Sequence, residues 1–192
     1  MRHVGLFWSD ETENTPIIDW DSSHLDFEKM HLDIWKYTSG DLQTELESQY
    51  AIVSHPMATQ WDYYGGPGFW GIISDRLKVF LEPYSKKCFD FCGIELNSQP
   101  YHVIRRIGVI DCLDKKRSGQ YPNGRKIYYD PCVFLEDLLP NTSLFSIPES
   151  SSIFITDNLA RKVLSMDFRG ILILNAGGNQ RTGENLIWDP DW

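Results

Sequence analysis

The carboxylates that could do acid–base chemistry in this 192-residue chain are Asp111 and Asp114, which end the strand-like segment 101–114. Two carboxylates held close together can serve as general acid and general base. They are followed directly by the basic run 115–117, a pattern that is also typical of a salt-bridged hairpin end. Because no histidine or nucleophile accompanies them in the sequence, we favour the salt-bridged end and predict no catalytic residue and no enzyme.

Metal chemistry would need cysteines or histidines at ligand spacing. The first two cysteines form a C-x3-C pair, and a gap of nineteen residues precedes each of the other two. This spacing does not match the paired C-x2-C pattern of structural zinc sites. The sequence has no G-x4-G-K-[ST], G-x-S-x-G or H-E-x-x-H motif and no G-x-G-x-x-G motif after a predicted strand. Gly65-Gly66-Pro67-Gly68 resembles a phosphate loop only in composition, and its proline removes a backbone donor. We therefore predict no metal and no cofactor, with the cysteines acting as small buried hydrophobes.

Aromatic side chains crowd the glycine-rich stretch 61–71. Tyrosine and tryptophan next to acidic groups are typical of a surface that binds a basic protein, because rings supply buried area and carboxylates steer the encounter. The alternative is that the rings pack on the core and hold the loop in place, and the sequence leaves both open. The candidate partner-binding residues are Trp61, Tyr63, Tyr64, Trp70, Asp111 and Asp114.

Two similar segments should form the elements that position these residues. Ile73-Ser74-Asp75-Arg76-Leu77 and Ile155-Thr156-Asp157-Asn158-Leu159 share the pattern of a strand end followed by a capped helix, and each precedes another strand-like segment. We predict that the first helix buries Leu77, Phe80 and Leu81 and ends at Pro83, and that the second buries Val163 and Met166 and ends at 169–170. Either the unit is duplicated or two helices acquired good caps independently.

The fold class predicted is α+β, mainly antiparallel sheet, with a long central hairpin and two strand–capped helix–strand units. The hairpin would pair 101–114 with 126–135 across the turn-rich stretch 115–124. Shorter strands are predicted at 3–8 and 50–54, a partial helix around Leu25, Phe27 and Met30, and a loop at 61–71. We predict one domain over 1–192, with a variable N-terminal part (1–70), an α+β core (71–174) and a C-terminal tail (175–192).

Charge limits the class of partner. The chain carries 27 acidic and 18 basic side chains, which gives a net charge of −9. That balance argues against nucleic acid and against an anionic membrane surface, and it favours a partner with a basic surface. The first residues lack the apolar run of a signal peptide, and no segment of about 18 apolar residues could span a membrane, so we predict a cytoplasmic location.

The order of several motifs resembles a former domain-of-unknown-function family that is now grouped with the immunity proteins of bacterial polymorphic toxin systems. The motifs are Ile73–Leu81, the strand with Ile110-Asp111-Cys112-Leu113-Asp114 and Ser118, Leu144-Phe145-Ser146-Ile147, Ile153–Leu159 and Phe168-Arg169-Gly170-Ile171. The resemblance covers about residues 70–174. Asp111 and Asp114 both fit the aspartate of the family pattern.

The resemblance implies a non-enzymatic cytosolic protein that binds and neutralises a cognate toxin or effector protein by covering its active cleft. The two alternatives are a small hydrolase or transferase that uses Asp111 and Asp114 as an acid–base site, and a scaffold module of a larger assembly.

Overall fold

The fold is mixed α+β and mostly antiparallel sheet, as predicted. The computed structural model describes residues 4–9, 18–20, 36–37, 52–54, 61–65, 71–96, 98–123 and 126–178. They contain helices α1 (Asp75–Ser85) and α2 (Asp157–Leu164). The strands are β1 (Val4–Ser9), β2 (Ile18–Trp20), β3 (Ile52–Ser54), β4 (Tyr63–Tyr64), β5 (Ile72–Ser74), β6 (Phe89–Leu96), β7 (Gln99–Arg106), β8 (Gln120–Asn123), β9 (Lys126–Tyr129), β10 (Leu144–Phe145), β11 (Phe154–Thr156) and β12 (Ile171–Asn175).

The chain divides into two compact units. The first unit comprises 1–8, 109–167 and 172–192, and the second comprises 9–108 and 168–171. Because the chain passes between them four times, no single cut separates them. The prediction of one domain over 1–192 stays a prediction.

The second unit is built on a six-stranded sheet in the order β2-β3-β6-β7-β5-β4. Its centre is the β6–β7 hairpin, in which all eight residues of each strand pair across a two-residue connection. Ser98 in that connection has a φ of 60°, the left-handed conformation that tight hairpin turns require. Helix α1 packs on this sheet and buries Leu77 and Leu81.

The first unit holds a four-stranded sheet in the order β10-β11-β1-β12 and a separate two-stranded ribbon, β8–β9. Three phenylalanine rings pack on the four-stranded sheet: Phe134 lies 5.3 Å from Phe154 and 6.0 Å from Phe145, edge to face in both cases. Such pairs add roughly 0.5–1.5 kcal/mol beyond the area they bury. They form the core that supports the connection between the ribbon and the sheet.

The two strand–helix–strand units predicted from sequence are both present and share one arrangement. In each sheet the two strands joined by the helix lie on either side of one other strand, β7 between β5 and β6, and β1 between β11 and β12. The same backbone hydrogen bond recurs in both units. The Ser74 amide donates to the carbonyl of Asp62, the residue before β4, at 2.9 Å, and the Thr156 amide donates to the carbonyl of Ser143, the residue before β10, at 3.1 Å. The units therefore match in topology and in local bonding, which fits both alternatives, duplication and independent capping.

The helix caps differ. Ser74 Oγ accepts a hydrogen bond from the Leu77 amide at 3.1 Å, as predicted, whereas Thr156 makes no side-chain cap bond. Thr156 Oγ1 instead accepts from the buried Ser143 amide at 3.0 Å. A hydroxyl oxygen turned toward a neighbouring strand does not face the helix, so sequence alone does not distinguish the two cases.

The helix ends also depart from prediction. Helix α1 continues past Pro83 to Ser85, because a proline in the last turn removes only one hydrogen bond. Helix α2 stops at Leu164 rather than near 169, and its cap Ser165 bonds to the Arg161 carbonyl. Met166 therefore lies beyond the helix and is largely exposed, so its predicted place on the buried face is wrong.

The predicted pairing of 101–114 with 126–135 is wrong, although a long central hairpin exists. Strand β7 ends at Arg106 and pairs with β6, while β9 pairs with β8. Between the two predicted segments, one bridge remains, Leu113 with Phe134. A strand reached through a two-residue connection loses far less chain entropy on pairing than one about twenty residues away, which explains the choice.

The remaining local predictions divide into three groups. The strands at 3–8 and 50–54 are confirmed by β1 and β3. The loop at 61–71 is wrong at Tyr63 and Tyr64, which form β4 and pair with β5, because the turn-forming residues lie only after them. The partial helix around 25–30 lies outside the described residues. Within the described part of the chain, neither helix has the length and apolar character needed to cross a membrane.

Candidate functional site

The aromatic candidates lie in the second unit and belong to its core. The side chains of Tyr63 and Tyr64 are buried, and Trp61 is half-buried against the same core. The Tyr101 hydroxyl donates to the Trp61 carbonyl at 3.0 Å, and the Tyr64 hydroxyl accepts from the Trp61 amide at 3.2 Å. Burial raises the pKa of Tyr64 far above its ordinary value. These rings follow the alternative in which aromatics hold the chain on the core; Trp70 lies outside the described residues.

A buried carboxylate stands among these rings and was not singled out from sequence. Asp62 Oδ1 accepts from Ser74 Oγ at 2.6 Å, and its Oδ2 accepts from Arg76 Nη2 at 2.9 Å and from the Arg169 amide at 3.0 Å. The carboxylate thereby fastens β4 to the start of α1 and to the segment before β12. Its place between Trp61 and Tyr63, directly before β4, was the available signal, since a carboxylate buried among aromatic rings requires partners.

A second, partly buried network lies on the face of β6 and β7. Arg105 forms a two-pronged ion pair with Asp90, its guanidinium lies 4.5 Å from the Tyr37 ring centroid, and the Tyr37 hydroxyl donates to Asp90 at 3.1 Å. The hydrogen bonds to Asp90 raise the pKa of Arg105, and burial raises that of Tyr37. Every charge here is matched by a partner, which indicates a role in holding the sheet.

An open groove of about 280 Å³ lies beside this network, between α1 and β6. Its walls carry two lysines, two carboxylates and the apolar side chains of Phe91 and Ile107. Lys78 and Glu82 on its helix side are paired with each other at 2.9 Å, and Asp90 is bound by Arg105. Three of the four charged side chains that line the groove are therefore already paired.

The two candidate aspartates lie in the first unit, at the base of the β8–β9 ribbon. Asp114 Oδ1 accepts from the amides of Lys116 at 3.1 Å and Arg117 at 3.2 Å, so this carboxylate shapes a turn. Asp111 is exposed. An aspartate that accepts from the backbone two and three residues ahead is a turn-forming group, and Asp114 Oδ2 also lies 4.0 Å from Arg117 Nε, as in a salt-bridged hairpin end.

Ser118 connects this turn to the strand beside it. Its hydroxyl donates to the Asp114 carbonyl at 2.8 Å and accepts from the Val133 amide at 2.9 Å, and its own amide also donates to the Asp114 carbonyl. Both bonds to residue 114 go to its main-chain carbonyl, so they hold the turn without the Asp114 carboxylate. Asp111 lies outside this contact.

An ion pair completes the ribbon base. Lys115 Nζ contacts Glu149 Oε1, and this hydrogen bond, together with the negative charge of Asp111, raises the pKa of Lys115. The Glu149 side chain is largely buried, and its second oxygen has no hydrogen-bond partner among the described residues. Lys115 is therefore the cation that balances a nearly buried carboxylate. The next two basic residues, Lys116 and Arg117, are exposed, and Arg117 Nε lies 4.0 Å from Asp114 Oδ2.

The four cysteines are thiols, and two of them, Cys88 and Cys112, are fully buried. Within the described ranges, no group of three or more histidine, cysteine or acidic side chains is arranged to hold a metal ion. Burial and the charges of Asp130 and Glu149 raise the pKa of Cys132 to about 12. Its Sγ donates to the Tyr129 carbonyl at 3.2 Å.

The raised pKa of Cys132 predicts a thiol of low reactivity. With its pKa raised from 9.0 to about 12, Cys132 should hold roughly a thousandfold less thiolate at pH 8 than an ordinary cysteine, and thiolate is the reactive form. Alkylation by iodoacetamide, followed site by site by mass spectrometry, should therefore be at least about a hundredfold slower in the native protein than in guanidinium. Equal rates in the two states would contradict the partly buried placement of Cys132.

Comparison with protein-family models and with curated protein sequences finds no match for this chain.

Proposed function

We propose that this chain is an immunity protein, which binds a cognate toxin or effector protein and neutralises it by covering its active cleft, without catalysis. One observation carries this proposal: in the described part of the chain, the carboxylates and tyrosines that could take part in chemistry instead hold the fold together. Asp114 forms a turn, Asp62 and Asp90 hold strands together, and Tyr63 and Tyr64 pack in the core. What such a structure offers a second molecule is a rigid surface, and the motifs quoted above resemble those of an immunity family.

Charge supports a partner with a basic region. Residues 1–50 contain 11 acidic and three basic side chains, which accounts for most of the net charge of −9. Opposite charge on a partner raises the association rate and suppresses unsuitable partners. The described residues, by contrast, contain 14 acidic and 14 basic side chains, so the surplus of acid lies outside them.

Co-expression is the direct test. We expect the full chain to restore growth of cells that express the toxin domain encoded beside it, and to co-purify with that domain. The double variant Asp111→Asn/Asp114→Asn should restore growth equally well, because asparagine retains the oxygen that accepts the turn hydrogen bonds. Loss of rescue in this variant, with folding and toxin binding unchanged, would favour an enzyme; absence of both rescue and complex would refute the proposal.

A further inference from the structure

One turn of the first unit exposes two leucine side chains between buried residues. Phe134 and Leu139 are buried, whereas Leu135 is 41% and Leu138 is 52% exposed. The Leu138 amide donates to the Leu135 carbonyl at 3.0 Å, so the backbone closes one helix-like turn. Side chains three residues apart on such a turn lie on the same side. Residues 135–138, the leucine turn, therefore present an apolar pair to solvent.

The leucine turn is fixed to the core of its unit. The ring of Phe134, directly before it, lies edge to face on Phe154 at 5.3 Å. The Leu135 amide donates to the Cys112 carbonyl at 2.8 Å. This bond places the turn beside Asp111, the residue before Cys112. A surface that is already ordered loses little conformational freedom when it binds, which favours a stable contact.

Carboxylates without ion pairs accompany the leucines. Asp137 lies within the turn and Asp111 beside it, both are exposed, and neither forms an ion pair with the residues that the structure describes. The surrounding sequence supplies no cation, since residues 127–160 contain five acidic side chains and no basic one. The turn therefore combines exposed apolar area with negative charge, and a protein contact likewise has an apolar centre and a polar rim.

The charge limits what can cover the leucines. A second copy of this chain, packed through the same surface, would bring Asp111 and Asp137 against the same carboxylates without a cation from 127–160 to balance them. Nucleic acid and anionic lipid are repelled for the same reason. A protein that places lysine or arginine beside an apolar spot complements both the leucines and the carboxylates.

We propose that the leucine turn, with Asp111 at its side, is the surface that contacts the neutralised toxin, and that it docks on an apolar spot edged by basic side chains. This inference rests on the proposed function and names the partner surface. A carboxylate at the rim of a contact acts mainly on the rate of association. Asp111→Asn should therefore slow binding modestly and still leave a complex that restores growth.

Matched variants test the leucine turn. Leu138→Lys places a cation on it, and Leu164→Lys makes the same change at the end of α2, where the leucine is 51% exposed. Asp137→Lys is matched by Glu95→Lys, which reverses an exposed carboxylate on β6 in the other unit. We expect the Kd for the toxin domain to rise about a hundredfold for Leu138→Lys, about thirtyfold for Asp137→Lys, and less than about threefold for both controls. Circular dichroism would verify that all four variants fold.

The outcomes separate the two proposals. If the wild-type chain binds the toxin domain and the turn variants bind as tightly as their controls, the inference about the turn is overturned and the proposed function stands. Dimerisation of the wild-type chain that Leu138→Lys abolishes would also overturn it, because a second copy would then cover the leucines.

If the wild-type chain does not bind the toxin domain, the proposed function fails, and the turn is tested with two peptides. One peptide alternates lysine with leucine, and the other alternates glutamate with leucine. Slower amide exchange at 135–139 with the lysine peptide alone, lost in Leu138→Lys, supports a docking surface for a basic protein. Slowing with the glutamate peptide, slowing that survives Leu138→Lys, or no slowing with either peptide overturns it.

Discussion

Replacing Asp62 with alanine should lower the free energy of unfolding by about 3 kcal/mol, the loss typical of breaking a buried ion pair. The substitution leaves the Ser74 hydroxyl and the Arg169 amide without their acceptor, and it removes the partner of the Arg76 guanidinium. The side chain of Asp62 is 11% exposed, so water cannot replace these bonds at full strength. Arg76 is 57% exposed and keeps much of its hydration, which places the loss at the lower end of the range for buried pairs.

Urea unfolding followed by circular dichroism would measure this loss. Asp62→Asn keeps one acceptor oxygen and should lose less than Asp62→Ala, about 1–2 kcal/mol. Glu95→Ala removes an exposed carboxylate from β6 in the same unit and should change stability by less than about 0.5 kcal/mol. A loss below 1 kcal/mol for Asp62→Ala would show that the carboxylate does not hold β4, α1 and the 168–171 segment together.

The Asp62 network also shows why part of the site could not be predicted from the sequence. Ser74 was identified as a helix cap because its evidence is local, a serine before an acidic residue and an apolar repeat. The bond from the Arg169 amide to Asp62 joins residues 107 positions apart, and no periodicity in the sequence relates them. Aromatic residues around Asp62 are compatible with a surface or a core, and the pairing of β4 with β5 places Tyr63 and Tyr64 in the core.

The same division between local and distant evidence holds for the fold. Both strand–helix–strand units were predicted because capping and helical periodicity act within one or two turns. The pairing of the hairpin strands was not predicted, because 101–106 and 126–129 have equally good strand composition. Which strands pair depends on competition with β6 and β8. At the ribbon base, the sequence placed Asp114 at a hairpin end, but the contact of Ser118 with Val133 joins residues fifteen positions apart.

Gly170→Ala is the second change that should strongly destabilise the protein, by about 3 kcal/mol or more. Gly170 has a φ of 80°, a conformation that costs about 1 kcal/mol for alanine. A side chain there would also overlap the Trp61 ring and the Tyr63 carbonyl oxygen. Because the clash involves backbone, rotation of a side chain cannot relieve it, and the 168–170 segment would have to leave β4.

Gly93→Ala provides the matched control for this prediction. Gly93 lies in the interior of β6, its φ is not positive, and a side chain there would meet nothing within 4 Å. Alanine should therefore be neutral or stabilise the strand by up to about 0.5 kcal/mol, because it restricts the unfolded chain. Denaturation midpoints that fall equally for the two variants would mean that alanine is poorly tolerated throughout this unit. If only the denaturation midpoint of Gly170→Ala falls, the close approach of Gly170 to Trp61 and Tyr63 is the reason that the aromatic residues of 61–64 pack on the core.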